Sequence, residues 1–188
     1  MSVPPPSDPF SRLRAGAPAR ADAEAWLRAA RDPQVSGELE LVYAAVAREA
    51  GRRNPVCTAS GRCCRFEAWG HRLYTTGLEA AFTMVSIDPA LVPNEAGVAR
   101  ALARGGCPFQ PATLCEAHEH RPLGCRVYYC DPTAQEWQRA LSERMLREVR
   151  DIHDRHGVPY LYAEWRSLLF ALASLTASDG GATTGAGG

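Results

Sequence analysis

Seven cysteines crowd into positions 57–130 of this 188-residue chain, with none elsewhere. "CTASGRCC" holds Cys57, Cys63 and Cys64, and "CPFQPATLCEAHEHRPLGCRVYYC" holds Cys107, Cys115, Cys125 and Cys130. Thiolates a few residues apart on irregular backbone suit a soft metal. Tetrahedral zinc takes four ligands, often as two groups distant in sequence, and iron–sulfur clusters are held by cysteine thiolates, commonly about four. Two four-coordinate ions sharing one bridging thiolate would use all seven sulfurs, one four-cysteine site would leave three, and a cluster with an open iron would leave four. The count admits all three. Cys63 and Cys64 are adjacent, so their side chains tend to diverge and suit two ions or two edges of a cluster. Arg62, Arg65, Arg121 and Arg126 stand beside the cysteines. Their charge would offset a polythiolate and lower thiol pKa values, which metal binding requires.

Other chemistry fits the pattern less well. Free cysteines do serve as small buried hydrophobes, but that role does not explain seven in one stretch. The start of the chain shows no apolar core of a secretory signal, so the expected setting is cytoplasmic and reducing, where cysteine clusters read as metal-binding before disulfide. An odd number of thiols also leaves one unpaired in any disulfide scheme. His118 and His120 lie between Cys115 and Cys125 and are candidate imidazole ligands, with exposure to water as the simpler role. His153 and His156 read as a last-turn pair that complements a helix dipole. Tyr160, Tyr162 and Trp165 read as core, with a substrate pocket as the alternative. No P-loop, GxGxxG, GxSxG or HExxH occurs, which removes the common phosphate, dinucleotide, esterase and zincin readings. Net charge is zero, and all 21 basic residues are arginine, so no nucleic-acid footprint is expected. No apolar run of about 18 residues spans a membrane.

The order "CPF" from Cys107, then Cys115, then "RPLGCRVYYC" from Arg121, preceded by Cys57 and the pair Cys63–Cys64, resembles the YkgJ-like cysteine-cluster family of zinc- or iron-chelating domains. The resemblance covers about residues 55–131 and implies metal ligation by the cluster. Ser60 stands where that family has its second cysteine, which implies an open or substituted position. Enzymes that modify proteins or peptides are thought to occur among relatives of such domains, so the resemblance also implies that a protein or peptide partner fits.

The elements that must position these loops read as helical. Residues 1–18, rich in Pro and Ala, are expected to be disordered, 19–177 to form one helical domain with the cluster at 55–131, and 178–188 to be a flexible tail. A helix from Ala21 stops at Asp32–Pro33, and another starts near Ser36 with Gly51 as its C-terminal cap. "RLYTTGLEAAFTMV" reads as an extended piece and a helix, with Thr76 and Glu79 forming a capping box. "NEAGVARALARGG" predicts a short helix. A long helix opens after Asp131 or Thr133 and ends at Gly157, and "PYLYAEWRSLLFALASL" predicts the last one. The fold class is mainly α: a small helical domain whose irregular cysteine-rich loops form a metal site.

The function this predicts is a metal-binding protein with a polythiolate zinc or iron site of structural, storage or sensing role. Zinc stands ahead because no substrate-channel signal accompanies the cysteines. The alternatives are an iron or iron–sulfur enzyme working at an open metal position, and a thiol redox sensor.

Overall fold

Two short strands, each running directly into a buried helix, organise the chain. The computed structural model describes residues 8–57 and 59–179. In chain order the helices are α1 (Pro9–Ala15), α2 (Arg20–Arg31), α3 (Pro33–Arg53), α4 (Gly77–Ser86), α5 (Glu95–Ala103), α6 (Leu123–Val127), α7 (Gln135–Arg155) and α8 (Trp165–Asp179). Strand β1 (Tyr74–Thr76) leads into α4, and β2 (Tyr162–Glu164) leads into α8. The strands pair antiparallel, with Thr75 opposite Ala163. The fold is mainly helical, as the sequence predicts.

Helix α4 is the centre. Residues Gly77 to Met84 are all buried, so it has no solvent face. Thr76 and Glu79 form the predicted capping box, which satisfies two of the orphan N–H groups of its first turn. Helix α2 packs across it through Trp26, which is fully buried. The indole lies over Gly77, where a Cβ would come within 2.3 Å of the ring, so only glycine allows this approach. The indole Nε1 donates to the Pro159 carbonyl at 2.7 Å. Helix α8 packs on α4 and is flanked by α1 and α5, with Phe10 edge-on to Phe170. Helices α3, α6 and α7 contact one another on another flank.

Several boundaries depart from the sequence reading. Part of the segment expected to be disordered is helix α1, because Asp8 accepts from the Ser11 N–H, Pro9 suits the first turn, and Leu13 is buried. Residues 1–7 and 180–188, where the rest of the terminal expectations fall, lie outside the described residues. Helix α3 starts at Pro33, since Asp32 accepts from the Gln34 N–H at 2.8 Å, and it runs through Gly51 to a left-handed Asn54 (φ 44°). Asparagine tolerates that conformation better than most residues. Tyr162–Glu164, expected as helix, is strand, because its backbone pairs with β1.

The histidines at the end of α7 also differ from expectation. His156 bonds Glu38 from α3 at 3.0 Å, beside the Arg155–Glu38 ion pair. His153 is buried, and its Nδ1 donates to the carbonyls of Val158 and Pro159 at 3.2 and 3.0 Å. Its Nε2 has no partner among the described residues. Burial therefore holds the His153 pKa below the ordinary value. The unfolded chain takes up a proton at this ring near pH 6.5 and the folded chain does so only at lower pH, so stability is complete above that range and falls as pH drops through it. Urea midpoints should decline from pH 7.5 to 5.5, and His153→Asn, which keeps a donor for the two carbonyls, should flatten that decline.

Candidate functional site

The two cysteine groups meet through their backbones before their side chains. The first rides on a 3₁₀ turn at Arg62–Cys64, and the Cys107 N–H donates to the Cys64 carbonyl at 2.9 Å. The Glu67 N–H donates to the Gly105 carbonyl at 3.1 Å. Gly105 takes φ +74°, and a Cβ on Gly106 would sit 3.2 Å from the Cys64 carbonyl oxygen, so "RGGC" admits the close approach.

Around that junction five of the seven thiols gather. The Cys63 and Cys64 sulfurs are 3.9 Å apart. Cys107 and Cys115 lie near enough to Cys64 to shift its ionisation, and Cys125 lies within electrostatic range of Cys107, Cys115 and Cys63. Trp165 Nε1, at the start of α8, donates to Cys107 Sγ at 3.4 Å. The neighbouring thiols, Cys107 first, push the Cys64 pKa up. The same sharing lowers Cys115, and Cys63 to about 6. Burial raises Cys125 well above its ordinary value, and the other thiols add to this. The charge of Arg121 favours the thiolate at all three of Cys63, Cys115 and Cys125, adding to the shift at the first two and opposing it at Cys125. Its Nε is buried without a partner among the described residues, and one terminal nitrogen pairs with His118 Nε2.

The remaining candidates have other surroundings. Cys57 and Cys130 are exposed, and Cys130 lies within electrostatic range of Tyr128. Ser60 is half-buried and makes no side-chain hydrogen bond among the described residues. His120 contributes its carbonyl to Thr83 Oγ1 at 2.7 Å. Arg62 stacks on Trp69, 4.4 Å from the ring centroid, and Arg65 is exposed. Arg126 braces its own loop: Nε donates to the Arg121 carbonyl at 2.6 Å, and a terminal nitrogen donates to the Glu119 carbonyl. It also stacks on Tyr43 at 4.1 Å and stays within electrostatic range of Cys125. Among the described residues no three His, Cys, Asp or Glu side chains are posed to hold a metal ion. What matches a thiophilic metal is the donor chemistry: one close sulfur pair, with three further thiols within electrostatic range, beside a partly buried guanidinium.

Two buried charged networks hold the loops in place. The Glu79 carboxylate accepts from the Tyr43 hydroxyl, the Thr75 and Thr76 hydroxyls and the Thr76 N–H, and from the Leu123 N–H at 2.8 Å. That last bond fastens the start of α6, and so Cys125, to α4. Arg166 of α8, 1% exposed, pairs with Glu67 at 2.9 Å and Glu164 at 2.7 Å and lies over Phe66. It thereby fastens the first cysteine loop to α8. Sequence reasoning saw Glu79 only as a cap and missed Arg166 and His71, whose Nε2 lies 3.2 Å from the Cys63 carbonyl. Nothing in local spacing marks these long-range partners.

Comparison of the chain with protein-family models, with curated proteins and with solved structures returns no match.

Glu79→Gln places an NH₂ group where only donors point. Hydrogen bonds to charged groups contribute about 1.5–3 kcal/mol each, so the variant should lose at least that much stability. Hydrogen exchange should quicken at the Leu123 amide. Unchanged protection there would show that Glu79 does not hold the second loop.

Proposed function

We propose that this chain binds a thiophilic metal through a polythiolate site built on Cys63, Cys64, Cys107, Cys115 and Cys125, with zinc as the ion and iron or an iron–sulfur cluster as the alternative. The observation that carries the reading is the position of Cys64, whose sulfur is 3.9 Å from that of Cys63 and whose carbonyl accepts from the Cys107 N–H where the two groups join. Seven thiols in one stretch, and the resemblance of "CPF…C…RPLGCRVY" to the YkgJ-like family, support it. Bound zinc would supply a closed, redox-inert cross-link between the loops. The protein's own residues set the conditions. Arg121 offsets thiolate charge, Trp165 orients Cys107, and Glu79 and Arg166 hold the loops so that the sulfurs stay pooled. The role this suits is structural or sensing. An enzymatic use of iron is the second reading, favoured by a cleft that opens beside Cys63 and Cys125.

Protein purified without oxygen should carry zinc or iron in at least equimolar amount by elemental analysis, colourless for zinc and brown for an iron–sulfur cluster. Cys64→Ser and Cys125→Ser should each lower that content several-fold, because a serine hydroxyl does not ionise near neutral pH. Cys57→Ser and Ser60→Ala should leave it unchanged. Metal-free protein that binds neither ion under reducing conditions would overturn the reading.

A further inference from the structure

A cleft of about 290 Å³ lies between the strand pair, α6 and α7, with Cys63 and Cys125 on one side. Three of its lining residues, Tyr74, Tyr128 and Tyr162, are 43%, 45% and 45% exposed, so large aromatic surface left open to water is concentrated here. The rings are already arranged as platforms. Tyr74 and Tyr162, diagonal neighbours across the strand pair, stack with centroids 6.1 Å apart and planes at 24°. Tyr128 stacks with His71 at 5.7 Å and 17°. Arg72 and Arg139 also line the cleft, and neither makes an ion pair among the described residues. No carboxylate lines it.

The metal reading uses neither the aromatic platforms nor these two arginines. We infer that the cleft binds a small planar aromatic carboxylate, its ring against the tyrosines and its anion on the guanidinium groups of Arg72 and Arg139. Tyrosine faces take a flat ring in offset or edge contact. Guanidinium groups match a carboxylate with two parallel donors, and no Asp or Glu lines the cleft, although Arg72 also lies within electrostatic range of Glu67. Ligand pockets run from about 300 Å³ upward, so this one suits a ligand of one or two rings rather than a nucleotide. The two arginines outnumber the one lining thiol held toward its anionic form, Cys63, so an anion is favoured over a cation. The inference stands on the cleft alone and does not require the metal site.

Titration of the full-length protein with indole-3-carboxylate, indole-3-carboxamide and cyclohexanecarboxylate, followed by NMR or calorimetry, tests it. The aromatic carboxylate should bind about ten-fold more tightly than either of the others, the gap of one charge-assisted contact or one stacked face. Arg139→Gln should close the gap to the amide, and Tyr162→Leu the gap to the saturated acid. Arg139 is exposed and Tyr162 half-exposed, so circular dichroism should confirm that both variants fold. Equal binding of the three probes, binding of none, or affinities that neither variant alters would overturn the inference. Metal content measured on the same samples separates the two proposals. Lost ligand binding with metal retained counts against the cleft only, and absent metal with the affinity pattern intact counts against the metal reading only.

Discussion

The Glu79 carboxylate, buried and surrounded by donors, is the constraint on which the rest of the site depends. A buried charge is tolerated only when hydrogen bonds replace its water, and the Glu79 carboxylate collects donors from α3, β1 and α6. This bonding turns one local cap into a junction. It sets the start of α4, the tilt of Tyr43 and the first backbone N–H of α6 together. Arg126, stacked on Tyr43, then braces the loop that carries Arg121.

Arg166 does for the first cysteine loop what Glu79 does for the second. It is a buried guanidinium between two carboxylates, of which Glu67 keeps 42% of its side chain in water, so the pair with Glu164 contributes more than the pair with Glu67. The two anchors sit on the two helices that follow the paired strands. The strand pair therefore fixes the spacing of α4 and α8, and that spacing decides whether the two cysteine loops meet. At the loop junction Cys64 and Cys107 are buried, whereas Cys57, Cys63 and Cys130 are exposed. The same strand pair supplies Tyr74 and Tyr162 to the cleft, so platform and thiol cluster share one support.

Much of this was legible in the sequence where the cause is local. The Thr76–Glu79 box, the helix after Asn94 and the stop at Gly157 follow from side chains within a few residues of their effect. The clustering of thiols was legible as well, because cysteine content along the chain is itself a signal. Strand β2 was not, since its aromatic and apolar residues suit a helix until β1 is present to pair with it. Nor was the role of Arg166, whose partner Glu67 lies 99 residues away. His153 looked like a surface residue favourable to a helix end, yet the turn at Val158–Pro159 folds back and buries it.

X-ray absorption at the metal edge of the protein as purified tests the central claim most directly. A polythiolate centre predicts a first shell dominated by sulfur at about 2.3 Å, with about four scatterers for zinc. A shell of oxygen and nitrogen at about 2.0–2.1 Å would contradict it, because the metal would then be held by groups other than the pooled thiols.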